Sequence, residues 1–117
     1  NNKNFLKKLK SMNIEIHARS IFLQGLLLLK EKELPRKFIK SKPHFKKWYN
    51  FLKRNNANAL EECLKFVISN PNKDKYVIGV NSLADLKGIL LSRLNFTKQR
   101  LNSLKSNNLN LIDPRNW

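Results

Sequence analysis

The apolar positions of the chain switch from a helical to a strand-like period within its first twenty residues. Phe5, Leu6 and Leu9 fall at helical spacing and a polar turn, Ser11-Met12-Asn13, closes that segment. From Ile14 to Ser20 the period becomes two. Ile14, Ile16 and Ala18 share one face of a predicted strand, and Glu15, His17 and Arg19 share the other. The charged face would meet solvent in an open sheet, or a polar interior in a parallel barrel. The loop Ser20-Ile21-Phe22-Leu23-Gln24-Gly25 follows, then a short apolar run from Leu26 to Leu29 that predicts a packed turn.

Residues 30–42 form a long basic connection punctuated by Pro35 and Pro43. A connection of this length is either a substrate lid or a plain surface excursion. Beyond it Phe45, Trp48, Tyr49 and Leu52 recur at i, i+3, i+4 and i+7, so a helix begins near Pro43. Such an aromatic stripe is expected to be core rather than a platform for stacked bases. Asn58 and Glu61 make a capping box for a second helix carrying Leu60, Cys63, Leu64, Val67 and Ile68, which stops at Ser69-Asn70-Pro71.

Lys75 to Val80 reads as a second strand, apolar through Tyr76, Val77 and Ile78 as in a buried parallel strand. Its loop, Gly79-Val80-Asn81-Ser82, opens a helix through a second capping box, Ser82 with Asp85, and Leu86, Ile89 and Leu90 continue it. Thr97 is expected to cap a last helix with Leu101 and Leu104. The tail, 107–117, is expected to be irregular, with Asp113-Pro114 breaking any helix and Trp117 docked on the body. Strand, Gly/Ser loop, helix is the unit of parallel α/β proteins, whose ligands bind at the carboxyl ends of the strands. Only two strands are visible, too few for a self-sufficient sheet.

Composition narrows the class. The chain has 117 residues, 41% of them apolar, enough for one folded domain. Its longest apolar run is too short to span a membrane, and no secretory pattern is visible, so no membrane association and a cytoplasmic location are expected. The single cysteine, Cys63, fits a reducing compartment and is expected to be a core residue rather than a reactive thiol. The chain opens on Asn1 without an initiator Met, as a fragment or a processed product would.

The net charge is +16, from 24 basic and 8 acidic residues. Charge of this size is the footprint of nucleic-acid binding, and a small basic helical module is the alternative reading. Three features weaken it. Lysines number 18 and arginines only 6, whereas base readout favours arginine. There are also 17 asparagines, and joint Lys and Asn excess is the mark of an AT-rich coding sequence. The lysines are dispersed rather than drawn into one stripe. Nucleic acid is therefore not the expected partner.

Residues 14–28, IEIHARSIFLQGLLL, resemble the seventh strand and following loop of aldo-keto reductases, with Ser20, Phe22, Gly25, Leu26 and Leu27 at the matching steps. LEECLKFVISN, residues 60–70, resembles the helix before that family's eighth strand. YVIGVNSLADLKGIL, residues 76–90, resembles that strand and its helix. The resemblance runs from about Met12 to Leu90, and the tail from Asp113 to Trp117 is similar to one branch of the family.

The resemblance implies a fold class and a role. The family folds as a TIM (β/α)8 barrel and moves hydride between a nicotinamide cofactor and a carbonyl or alcohol. A barrel takes roughly 250 residues, so residues 1–117 would supply about the last two βα units as a partial barrel. The family's catalytic Asp, Tyr, Lys and His lie in the first half, so no catalytic residue is expected here. No metal site is expected, and neither His17 nor His44 is assigned chemistry. The implied role is to hold NADP or NAD. Arg19, Ser20, Phe22, Leu23, Gln24 and Gly25 would lie along the pyrophosphate and nicotinamide, and Gly79, Val80, Asn81, Ser82 and Asp85 toward the adenosine.

Backbone amides of a Ser/Gly loop and of a helix N-terminus suit a diphosphate, and glycine permits its close approach. Two departures stand out. Arg19 replaces the family's Tyr or Trp, and Ile21 replaces its Pro. Asp85 stands where many relatives carry Arg or Gln, and a carboxylate there would repel a 2′-phosphate. As a capping-box acid, Asp85 also has a purely structural role open to it.

Overall fold

The computed structural model describes residues 2–92 and 104–117. The described chain is mixed α/β and mostly helical. In order it carries helix α1 (Asn2–Ser11), strand β1 (His17–Ala18), helices α2 (Lys42–Arg54) and α3 (Ala59–Ile68), strand β2 (Lys75–Tyr76), and helices α4 (Leu83–Leu90) and α5 (Leu109–Ile112). The connection from β1 to α2 folds into three successive 3-10 turns, Leu26–Leu28, Glu31–Glu33 and Arg36–Ser41.

β1 and β2 pair in parallel, His17 opposite Lys75 and Ala18 opposite Tyr76. Both strands are much shorter than the expected spans 14–20 and 75–80. For β1 the reason is local. Asn13 sits at φ 55° and the Ile14 amide bonds back to the Leu9 carbonyl, so the chain is still leaving α1 at Ile14. Ser20, at φ 59°, turns the backbone out again.

For β2 the expectation of a buried strand does not hold. Tyr76 and Ile78 are half-buried, but Val77 and Val80 are exposed. Among the described residues the sheet has two strands, so neither has a neighbour on its outer edge. The alternation read for 14–20 survives in muted form. Glu15, His17 and Arg19 are exposed, Ile16 and Ala18 are half-buried, and Ile14 is exposed.

A polar clamp holds the pair in register. The Asp74 amide donates to the Ile16 carbonyl at 2.9 Å, and the Ile16 amide donates to Asp74 Oδ2 at 2.8 Å. Lys10, from α1, bonds the other oxygen of Asp74. Glu15 accepts from Lys75 at 3.0 Å and pairs with His17.

These contacts hold both carboxyls below their usual range. The Lys10 ammonium and the Ile16 amide lower Asp74, and His17 and then Lys75 lower Glu15. A carboxylate depressed in the folded state stabilises the fold above its unfolded pKa, and that contribution is lost as pH falls through the folded value. The melting temperature is therefore expected to drop as pH falls below the ordinary Asp value of 3.8. Thermal melts of Asp74→Asn should show a flatter acid limb than the parent.

Helices α2, α3 and α4 fall where the periodicity and caps predict them. Pro43 lies in the first turn of α2. Asn58 accepts from the Leu60 and Glu61 amides, at 2.9 and 3.3 Å, and Ser82 accepts from the Asp85 amide at 3.0 Å. Asn58→Ala should cost about 1 kcal/mol, read as a lower denaturation midpoint at an unchanged denaturant slope.

The core does not lie on the sheet. Leu26, Phe38, Phe45 and Leu111 form one cluster of it, with Leu23, Leu27, Leu29, Leu34, Tyr49 and Trp117 packed around them, and Trp48, Cys63, Leu64 and Val67 are buried as well. The cluster thus joins the 26–41 connection, α2 and the tail. The aromatic stripe is core, as expected, with Phe45 and Trp48 buried and Tyr49 half-buried.

The tail differs from expectation. It forms helix α5 and the single turn Pro114–Asn116. Asn108 caps α5 by accepting from the Asn110 amide, and Asp113 caps the turn by accepting from the Arg115 amide. Trp117 docks as expected, edge-on to Phe38 at 4.9 Å, with its indole N–H donating to the Leu111 carbonyl. Thr97 and Leu101 lie outside the described residues.

Candidate functional site

Parallel pairing places the loops after β1 and β2 at the same end of the sheet. The Val77 amide donates to the Ala18 carbonyl at 2.8 Å, so both chains leave that end together. The first loop is strongly left-handed. Ser20, Leu23, Gln24 and Gly25 lie at φ 59°, 49°, 52° and 83°. Only Gly25 adopts such a φ without steric cost.

Internal bonds close the loop. The Leu23 amide donates to the Ser20 carbonyl, Leu26 to Leu23, Leu27 to Phe22 and Leu28 to Gly25. Those amides are not available to a ligand. Arg19, Ser20 and Gln24 are exposed, whereas Phe22, Leu23 and Gly25 are half-buried. Leu23 in particular packs on the core, which anchors the loop from inside.

The second loop is exposed through Gly79, Val80, Asn81 and Ser82. Asp85 caps α4 reciprocally with Ser82: the Asn81 amide donates to Asp85 Oδ2 at 3.2 Å, and the Asp85 amide to Ser82 Oγ. The carboxylate the resemblance turns toward a ribose is therefore already engaged. A Cβ on Gly25 or Gly79 would meet no atom within 4 Å, so the space beside both glycines is open to a ligand.

Gly79 does not adopt a positive φ. Nothing in the fold therefore requires glycine there. Gly79→Ala should leave stability unchanged or raise it by about 0.4–1 kcal/mol through the unfolded chain, read as an unchanged or slightly higher melting temperature. Any loss of ligand affinity in that variant would then report close approach of the ligand to the backbone.

A cleft of about 500 Å3 lies between the carboxyl end of β1 and the helices α2 and α3. It gathers Arg19, Ser20 and Leu23 from the expected site, with Ala18 and Ile21. Phe22, Gln24, Gly25, Gly79, Val80, Asn81, Ser82 and Asp85 are not in its wall. The two loops thus share an end of the sheet but not one pocket among the described residues.

Several features of the cleft escaped the sequence. Glu62 is 2% exposed, with Lys65 donating to it at 2.9 Å. Its position in the first turn of α3 and the i, i+3 spacing to Lys65 are the signals that could have found it. His44 Nε2 donates to the Leu104 carbonyl at 2.9 Å and fastens the tail over the cleft. Lys73 and Lys105 also reach it.

Cys63 is buried, and desolvation, with Glu62 adding to it, pushes its thiol up to about 12. A thiol so raised stays protonated and is not a nucleophile at neutral pH. Among the described residues no three His, Cys, Asp or Glu side chains gather to hold a metal ion, and no helix is long and apolar enough to cross a membrane.

The aromatic side chains of α2 are turned inward rather than toward a strand of bases. The charge of +16 is the observation left to the nucleic-acid alternative. Comparison with protein-family models, with curated proteins and with solved structures returned no match to this chain.

Proposed function

We propose that this chain is the C-terminal, cofactor-holding segment of an aldo-keto reductase-like oxidoreductase, forming about the last two βα units of a (β/α)8 barrel. The observation that carries the reading is the direct parallel pairing of β1 with β2. The segments that resemble the family's seventh and eighth strands are neighbours, point the same way and send their Gly/Ser loops from one end. The open space beside Gly25 and Gly79 and the exposed helix N-terminus at Ser82 suit a diphosphate and its adenosine.

A bound nicotinamide dinucleotide would supply the hydride chemistry toward a small carbonyl or alcohol. This chain's part is to bind and orient it. The acid and base groups of the reaction lie outside residues 1–117, which by themselves are inactive. Arg19 stands at the aromatic position of the resemblance, and its planar guanidinium can lie flat on a ring. The oxidised ring is cationic, so Arg19 favours the reduced cofactor.

Fluorescence titration of the protein carrying this chain with NADPH and NADH tests the reading. Asp85→Arg removes a negative charge and adds a positive one, and should shift preference toward the 2′-phosphorylated form. Gly25→Val should weaken both forms, because a β-branched residue cannot hold φ 83° without strain and the loop must re-form. Unchanged affinity for both cofactors in both variants would rule these loops out as the dinucleotide site.

A further inference from the structure

We infer that the cleft between the carboxyl end of β1 and helices α2 and α3 binds a small amphipathic anion, a monocarboxylate with an apolar body. This site goes beyond the dinucleotide reading and does not rest on it. Its volume of about 500 Å3 falls among small-molecule sites. Its two ends differ in chemistry.

The deep end is apolar. Phe45, Trp48, Cys63 and Val67 line it and are all buried. The one polar atom of Trp48 already donates to the Leu27 carbonyl at 3.0 Å, so the indole offers a ligand only its ring. Cys63, held as the thiol, behaves as a small apolar group. A hydrocarbon body that enters here leaves water without displacing any protein hydrogen bond named above.

The mouth is cationic. Arg19 and Lys105 are exposed there and Lys73 is half-buried. Among the described residues the only acid in the wall is Glu62, 2% exposed and already engaged by Lys65. A carboxylate is repelled from Glu62 and drawn to Arg19, Lys73 and Lys105, which fixes its orientation: head at the mouth, body toward Trp48 and Val67. A cationic amphiphile meets three like charges at the entrance. The +16 charge of the chain adds steering for any anion, but that long-range part is screened by salt far more than a contact at half-buried Lys73.

Isothermal titration of the protein with decanoate, decanol and decyltrimethylammonium, each below its aggregation limit and at physiological salt, tests the assignment. Decanoate should bind one per chain, at least about tenfold tighter than decanol, and the ammonium amphiphile should not bind. Lys73→Gln should weaken decanoate by about tenfold and leave decanol unchanged, since it removes one charge-assisted contact at a half-exposed site. Val67→Trp fills the deep end and should abolish binding of both, while the far-ultraviolet spectrum and NADPH affinity stay at parent values.

Equal affinity for decanoate and decanol would overturn the proposal, as would indifference of decanoate to Lys73→Gln. Absence of any binding would show the cleft to be closed in solution and would overturn it too. Because Lys73 and Val67 lie outside the dinucleotide loops, NADPH titration of the same two variants separates failure here from failure of the oxidoreductase reading.

Discussion

Phe45→Ala is expected to be the most damaging single substitution, lowering stability by about 3–5 kcal/mol. Phe45 is 2% exposed and sits at the meeting point of α2, the 26–41 connection and the tail. It touches Phe38 edge-on at 6.1 Å and stacks with Tyr49 at 6.5 Å. Truncation removes the ring's burial and both aromatic contacts, and leaves a cavity that the short 3-10 turns around it fill poorly. Against a total stability on the order of 5–15 kcal/mol, this is enough to unfold much of the population on mild heating. Urea denaturation followed by the emission of Trp48 and Trp117 measures it. A loss under 1 kcal/mol would mean the core is not where the packing places it.

The second large effect concerns surface rather than core. The 117-residue chain on its own is expected to self-associate, and to do so more as salt is raised. Helix α4 has apolar Leu83, Leu86 and Leu90, yet none of its residues is buried, and Leu90 and the adjoining Leu91 are 73% and 77% exposed. Val77 and Val80, just upstream, are exposed as well. Among the described residues the two-stranded sheet leaves an unpaired edge on either side. Apolar surface of this extent drives association.

The charge of +16 opposes association at low ionic strength and is screened at high. Light scattering across a salt series should therefore show mass rising with salt. Leu86→Lys with Leu90→Lys should return the monomer. A monodisperse monomer at every salt concentration would instead describe a self-contained helical fold, and would weaken the reading of β1 and β2 as part of a larger barrel.

How much of this was legible beforehand varies from element to element. Helices α2, α3 and α4 were readable because their signals are local: Pro43, Asn58 and Ser82 mark their starts, and apolar residues at the helical period mark their buried or buriable faces. Trp117 was readable for a different reason, since a large amphipathic ring gains too much from burial to remain in water. The strands were legible as places but not as lengths. Val77 and Ile78 have every property of a buried strand, yet burial of a parallel strand depends on neighbours that the local sequence does not contain. The tail was misread because α5 is only four residues long, and its caps, Asn108 and Asp113, act one turn at a time without a period to display.

The candidate site divides along the same line. Order along the chain determined that two Gly/Ser loops each follow a strand, that Ser82 and Asp85 would cap a helix, and that Gly25 would need its backbone freedom. These follow from residue type and short spacing alone. Tertiary structure decided the rest. It set β1 beside β2, fifty-eight residues apart at the clamp between Ile16 and Asp74. It drew Lys73, Lys105 and the His44–Leu104 contact to the mouth of one cleft and buried Glu62 in its wall. It also kept the Gly79–Ser82 loop out of that cleft. Such placements depend on which surfaces meet, and that is settled by the sum of many weak long-range contacts, no one of which leaves a mark in the spacing of residues.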